Sequence, residues 1–96
     1  MSETLEAAAA KLRERLGGEG FDGAVKFEIE GEGAILLDAD GVKVGEGDAD
    51  VTISAGLDVF QDMFEGGLSP TAAFMTGKIK IDGDMGAAMK IAQLFA

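Results

Sequence analysis

Residues 69–96 read SPTAAFMTGKIKIDGDMGAAMKIAQLFA, and the order of structural signals in this stretch decides the fold. The opening Ser-Pro pair is typical of a helix N-cap and first helical position, and Gly77 is typical of the left-handed residue that ends a helix. Polar and apolar residues alternate across residues 78–82, which predicts a strand with Ile79 and Ile81 on its buried face. The stretch therefore predicts a short helix, a strand and, after a glycine turn, a final helix.

The final helix has more apolar surface than one contact with a sheet needs. We expect Asp84 to cap this helix, which then runs from Met85 to about Phe95. At about 100° per residue, its apolar side chains cover well over half of the helical wheel; they are Met85, Ala88, Met89, Ile91, Ala92, Leu94 and Phe95. A helix that lies on a sheet needs an apolar arc of roughly 100°. Either protein surrounds this helix almost completely, or its second apolar flank faces a lipid-like ligand or a partner.

The rest of the chain alternates between helical and strand patterns. Apolar residues at helical spacing predict one amphipathic helix over residues 2–16 and another over residues 57–65. Between these helices, alternating segments and glycine-rich turns predict four strands, at residues 24–30, 34–38, 42–45 and 50–54. The patterns predict an α+β fold, and the length indicates one small domain over residues 1–96.

The composition excludes several classes of function. Eighteen acidic and eight basic residues give a formal net charge of −10. This charge argues against nucleic-acid binding and against electrostatic docking on anionic membranes. No apolar run approaches the roughly 20 residues of a membrane-spanning helix, so we expect no stable membrane insertion. The first residues lack the basic and apolar pattern of a signal peptide, and we therefore predict a cytoplasmic location.

The residue types argue against catalysis, a metal site or a cofactor. The chain contains no His, Cys, Tyr or Trp, which excludes imidazole-activated nucleophiles and thiolate or imidazole metal ligands. Carboxylates are plentiful, but none lies in the apolar stretch that a catalytic carboxylate needs. The segment from Asp38 to Asp50 superficially resembles a calcium loop, but Val42 and the missing final Glu break the ligand spacing. We therefore predict a protein that is not an enzyme and holds neither a metal nor a cofactor.

Two segments carry a family resemblance. Residues 73–86, AFMTGKIKIDGDMG, and residues 49–53, ADVTI, resemble the sterol carrier protein 2 (SCP-2) lipid-transfer family. The most specific part is the run Phe-Met-x-Gly-Lys-x-Lys-x-x-Gly-Asp, and the resemblance extends over essentially the whole chain. It implies an SCP-2-like fold, in which helices pack on one face of a five-stranded sheet and enclose an apolar cavity for lipids.

The large flexible side chains indicate where a lipid would bind. Most Met and Phe residues follow residue 57, and such side chains repack around ligands of varied shape. The residues alone leave two interpretations open, a packed core or a ligand site, whereas the resemblance implies that several of them line a cavity. The candidate ligand-binding residues are Phe60, Met63, Phe64, Phe74, Met75, Met85, Ala88, Met89, Ala92 and Phe95.

Two functions are compatible with these observations. The first is a non-catalytic lipid binding or transfer protein that holds a fatty acid, acyl-CoA, phospholipid or sterol-like ligand in a hydrophobic cavity. In this hypothesis the final helix moves as a lid to admit the ligand, because a terminal helix reorients at low cost. The alternative is a structural or interaction domain whose apolar surface is covered by a second copy or a partner protein. The sequence is compatible with a monomer and with a homodimer.

Overall fold

The computed structural model describes residues 3–17 and 21–94. Within these residues the chain forms four helices and five strands, in the order α1 (Glu3–Leu16), β1 (Val25–Ile29), β2 (Gly33–Asp38), β3 (Gly41–Val44), β4 (Val51–Ala55), α2 (Leu57–Phe64), α3 (Pro70–Met75), β5 (Lys80–Gly83) and α4 (Met85–Leu94). Every predicted element is present, with boundaries that shift by one or two residues. The predicted first residue of α1, Ser2, and the predicted last residue of α4, Phe95, lie outside the described residues.

The five strands of the described residues form one mixed sheet in the order β3-β2-β1-β4-β5. Strand β1 lies antiparallel to β2, with Val25 opposite Leu37, and parallel to β4, with Val25 opposite Val51. The β2–β3 and β4–β5 pairs are antiparallel. Strands β1 to β3 therefore form a meander, from which the chain crosses to the other side of β1. The five-stranded SCP-2-like sheet implied by the resemblance is confirmed.

The helices pack on one face of the sheet. Side chains at alternate strand positions, such as Phe27 and Ile53, join Leu12 of α1, Phe60 of α2 and Ile91 of α4 in one buried cluster. Helix α1 lies over β2 and β3, whereas α4 lies over β1, β4 and β5. The sheet therefore carries α1 on one half and α4 on the other, and the core fills the space between the two layers.

Apolar side chains on the opposite face of the sheet are also buried, namely Ala34 and Leu36 of β2. Leu36 is buried, although its position in β2 points away from the helices. The segment that follows β3 covers it, and a Cβ atom on Gly47 would lie only 2.5 Å from Leu36 Cδ1. The same segment is held by Lys26, whose Nζ lies 3.1 Å from Glu46 Oε1. Glycine at residue 47 thus allows a connecting loop to close over the sheet.

Strand β5 begins two residues later than the alternating pattern predicts. It starts at Lys80, because the end of helix α3 takes up the preceding residues. Gly77 has a φ of 76°, and the backbone N–H of Lys78 donates to the carbonyl oxygen of Ala73 at 2.8 Å. These bonds satisfy the last carbonyls of the helix in a left-handed cap, as predicted for Gly77. Ile79 is buried as predicted, although it lies in the connection and not in the strand.

Candidate functional site

An apolar groove lies between α3 and α4, above β4 and β5 at one edge of the sheet. We call it the α3–α4 groove, and its volume is about 170 Å³. Apart from Thr71, the side chains that line it are apolar, and none of them is titratable. The lining residues are Ile53, Pro70, Thr71, Phe74, Ile79, Ile81, Met85, Ala88, Met89, Ile91 and Ala92. Such a lining can bind a ligand by excluding water from apolar surface, which is the chemistry of a hydrocarbon site.

Helix α4 has two apolar flanks, and only one of them packs on the sheet. Ala88 and Ile91 are buried in the core cluster. Ala92 is half-buried and lies between the flanks. The second flank contains Met85 and Met89, which are 48% and 65% exposed. The excess apolar surface that the sequence predicts for this helix is therefore present, and it lies at the α3–α4 groove.

The first residues of α4 are fixed to strand β4. The Gly86 N–H donates to Asp84 Oδ1 at 3.1 Å, which confirms Asp84 as the cap of the helix. The backbone N–H of Asp84 donates in turn to the Asp50 carbonyl oxygen at 2.9 Å. Gly83 has a φ of 119° and packs so closely on Asp50 that no Cβ atom fits there. A movement of α4 would therefore pivot about this fixed start and displace the later turns of the helix.

Helix α3 forms the other wall of the groove. A backbone N–H in its first turn donates to Ser69 Oγ at 3.1 Å, which confirms the predicted N-cap. Pro70 and Ala73 are buried and hold the helix against the core, whereas Phe74 and Met75 are 45% and 79% exposed. Phe74 lines the groove, and Met75 is adjacent to it in sequence but outside the lining. The outer side of α3 thus adds apolar surface to the mouth of the groove.

The structure brings half of the predicted ligand-binding residues together in the α3–α4 groove. These are Phe74, Met85, Ala88, Met89 and Ala92. Phe95 was also predicted and lies outside the described residues. The sequence interpretation did not select the groove residues Ile53, Pro70, Ile79, Ile81 and Ile91 as ligand contacts. The alternation around Ile79 and Ile81 predicts that these two side chains are buried, but it does not distinguish the core from a groove.

Three other predicted residues, Phe60, Met63 and Phe64 of α2, form part of the core. The ring of Phe27 meets Phe60 and Phe64 edge to face, with centroids 5.7 Å and 6.1 Å apart. Phe60 and Phe64 stack at 5.8 Å, and Met63 is buried beside them. None of the three lines the α3–α4 groove, and their contact with a ligand stays a prediction.

A second groove, of about 450 Å³, lies between α1 and α2. Its lining mixes apolar and charged side chains: Glu3, Thr4, Ala7, Ala8, Lys11, Leu57, Gln61, Phe64 and Glu65. Lys11 Nζ and Glu65 Oε1 form an exposed ion pair at 3.8 Å between the two helices. Charged groups keep water in this groove, and buried methylene groups stabilise a complex only where water is excluded. Although it is smaller, the α3–α4 groove is therefore the better site for an acyl chain.

Metal-binding clusters and buried polar side chains are absent from the described residues. Over residues 3–17 and 21–94, no three acidic side chains converge to hold a metal ion. The same part of the chain buries no polar or charged side chain. Its helices are all too short or too polar to cross a membrane. The chemistry of the candidate site is therefore apolar contact.

Comparisons with known proteins agree with the fold. The profile of the SCP-2 sterol transfer family matches residues 3–96. Hydroxysteroid dehydrogenase-like protein 2 of Mus musculus is 46% identical over 77 residues, which are 72% of this chain but only 16% of that protein. The chain thus spans about one sixth of the length of this relative.

Solved structures support the same assignment. The solution structure of palmitated SCP2L2 from Aedes aegypti is 25% identical and covers 99% of this chain and 95% of its own, with a TM-score of 0.72. Sterol carrier protein 2 from the same organism, in complex with palmitate, shares the fold at 20% identity, with a TM-score of 0.77 and coverage of 100% and 97%. Because the family profile spans nearly the whole sequence and the fold agrees, the chain belongs to the SCP-2 sterol transfer family.

Proposed function

We propose that this chain is a non-catalytic lipid carrier that holds the acyl chain of a fatty acid or phospholipid in the α3–α4 groove. The observation that carries the proposal is the apolar lining of this groove, continued outward by the exposed side chains of Phe74, Met85 and Met89. Exposed apolar side chains lose contact with water when a hydrocarbon chain covers them, and this loss stabilises the complex. Met and Phe side chains also adapt to chains of different length and saturation.

The size of the groove indicates that it widens when lipid enters. Pockets that enclose a small molecule usually measure at least about 300 Å³, whereas the α3–α4 groove measures about 170 Å³. At the roughly 30 Å³ that a water molecule occupies in the liquid, this groove has room for about six groups of methylene size. A long acyl chain therefore needs additional space.

Micromolar binding of a fatty acid would also require this additional space. About six buried methylene groups, at about 0.8 kcal/mol each, supply about 5 kcal/mol, which corresponds to a Kd of roughly 0.2 mM. A micromolar Kd requires about 8 kcal/mol and hence about ten buried methylene groups. We therefore infer that the later turns of α4 move outward around the fixed contact between Asp84 and Asp50, as the lid hypothesis requires.

The absence of suitable groups in the groove supports a carrier over an enzyme. Its only polar lining residue is Thr71, and none of its lining side chains can act as a general base at neutral pH. The whole sequence has no His, Cys or Tyr that could replace such a base. A bound lipid would therefore leave the groove chemically unchanged.

Two of the comparisons bear on the class of ligand. The Aedes aegypti SCP2L2 structure contains palmitate, and the family is described as a sterol transfer family. A fatty acyl chain fits the narrow groove between two helices better than a rigid ring system, because it can bend and enter in stages. We therefore propose fatty acids as the first ligands to test, before acyl-CoA and sterols.

A displacement titration tests the proposed function. A fluorescent fatty acid is bound first, and unlabelled saturated fatty acids of increasing length then compete with it. We expect affinity to rise about fourfold per added methylene until the widened groove is full, since each methylene contributes about 0.8 kcal/mol. Absence of saturable binding over the whole series would exclude a lipid carrier.

Native mass spectrometry separates the carrier from the alternative interaction domain. We expect the protein as expressed to retain a copurified lipid that solvent extraction removes. An unliganded dimer would instead favour the alternative, in which a second copy covers the exposed flank of α4.

A further inference from the structure

In the part of the chain whose side chains are described, the large exposed apolar residues are concentrated at one place. Among the side chains of residues 3–17 and 21–93, the large apolar ones that are exposed are Phe74, Met75, Met85 and Met89. Three of them line the α3–α4 groove, and Met75 follows Phe74 at the end of α3. We call these four residues the groove rim. An apolar rim around the mouth of a site, and nowhere else, indicates a surface that contacts another apolar phase.

The acidic residues, in contrast, are concentrated in the part of the sequence that precedes α3. Residues 1–68 contain sixteen acidic and five basic residues, a net charge of −11, whereas residues 69–96 contain two acidic and three basic residues, a net charge of +1. The segments α3 and β4, which build much of the groove, contain no charged residue. The three basic residues of the last segment, Lys78, Lys80 and Lys90, are all exposed, and Lys90 Nζ lies 3.5 Å from Asp22 Oδ2. The acidity of the protein is therefore carried by the part of the chain that precedes the rim helices.

Resting on the proposed function, we propose that the groove rim docks on the surface of a lipid bilayer while the acidic remainder of the protein faces water. Bilayer surfaces in cells are negatively charged on the cytoplasmic side. Such a surface repels acidic side chains, whereas the lining of the α3–α4 groove contains no charged residue. Electrostatic repulsion is therefore weakest when the groove faces the lipid. The rim side chains then enter the interfacial region, which brings the mouth of the groove to the lipid that it receives.

A second copy fits the rim less well than a bilayer does. A stable dimer interface usually contains about 20–30 residues from each partner, whereas the rim has four large apolar side chains. Two copies also repel each other, because each carries a formal net charge of −10. A fluid lipid surface needs no matching shape, and flexible Met side chains suit it.

The salt dependence of this docking should be the reverse of that for a protein held by a basic patch. The protein measures 29 × 26 × 23 Å, and electrostatic screening acts over about 30 Å at 0.01 M salt but only about 8 Å at 0.15 M. At low salt an anionic bilayer therefore interacts with the whole negative charge, whereas at physiological salt it interacts mainly with charges near the rim. We expect binding to anionic vesicles to strengthen as salt increases, whereas a protein held by a basic patch binds more weakly.

A matched pair of variants tests the proposal. Met75→Glu adds a charge to the most exposed rim residue, which does not line the groove, and Ala10→Glu adds the same charge at an exposed position of α1. Both variants have the same net charge. In sedimentation with phosphatidylcholine vesicles that contain phosphatidylserine, at about 0.15 M salt, we expect Met75→Glu to bind at least about tenfold more weakly. We expect Ala10→Glu to bind as the unchanged protein does.

The same proteins show which proposal fails if the result differs. Both variants should bind a fluorescent fatty acid in vesicle-free solution as tightly as the unchanged protein does, which also shows that they are folded. Equal vesicle binding by the two variants, or weaker binding at higher salt, would overturn docking through the rim. A dimer that Met75→Glu dissociates, without vesicle binding, would identify a second copy as the occupant and also overturn the proposal. Failure of the unchanged protein to bind fatty acid would count against the proposed function instead.

Discussion

Filling the α3–α4 groove with a side chain should raise stability and weaken lipid binding together. Ala92 is half-buried on α4 and lines the groove, so Ala92→Phe directs six ring carbons into space for about six methylene groups. Burial of a Phe side chain stabilises a protein by about 1.5–3 kcal/mol when complete. Since the groove is open on one side, we expect a gain of about 1 kcal/mol and a rise in Tm of about 4–8 °C.

The same substitution should remove a large part of the binding free energy. If the ring occupies the room of at least four methylene groups, the complex loses about 3 kcal/mol and its Kd rises by about a hundredfold or more. Calorimetry measures Tm, and displacement of a fluorescent fatty acid measures Kd. Gln93→Phe is the matched control, because it places the same ring at the next, exposed position of α4 and should leave Kd unchanged. An unchanged Kd for Ala92→Phe, or equal losses for both variants, would refute the location of the site.

Four further substitutions test individual parts of the structure. Ile91→Ala should lower the free energy of unfolding by about 2–5 kcal/mol in chemical denaturation, because this side chain is buried in the core. Gly83→Ala should lower Tm in calorimetry, since a Cβ atom has no room beside Asp50 and the φ of 119° disfavours alanine. Ser69→Ala should cost about 1 kcal/mol of stability through loss of the N-cap and leave fatty-acid affinity unchanged in the displacement titration. Met89→Trp should show a blue shift in its emission when palmitate binds, and an emission unchanged at saturating palmitate would contradict contact at the groove.

The sequence predicted the elements of the fold well, because each has a local signal. Ser69 and Asp84 cap helices, and Gly77 ends one, as their residue types indicate. The predicted start of β5 was wrong by two residues. The alternation at residues 78–82 does not reveal that the backbone N–H of Lys78 donates to a carbonyl of helix α3. The burial of Leu36 depends on a loop that folds over the sheet, which no local pattern predicts.

The candidate site was harder to predict than the fold, because the same residue types build the core and the groove. Phe60 and Phe74 both lie on apolar helix faces, yet Phe60 packs against Phe27 and Phe74 lines the groove. Only the placement of α2 and α3 relative to the sheet distinguishes them. The prediction for α4 was better. Its apolar arc is wider than a contact with the sheet requires, so part of this arc must remain available to a ligand or a partner. Met85 and Met89 carry that surplus in the structure.

The methionine methyl groups provide the most direct test of acyl-chain binding in the α3–α4 groove. The experiment is a palmitate titration followed by NMR of methyl-labelled methionine. Met85 and Met89 line the groove, Met75 lies outside it, and Met63 lies in the core. We predict saturable shifts and contacts with the acyl chain at Met85 and Met89, with much smaller changes at Met75 and Met63. Contacts at Met63 with none at Met85 and Met89 would place the chain beneath α2 and contradict the account.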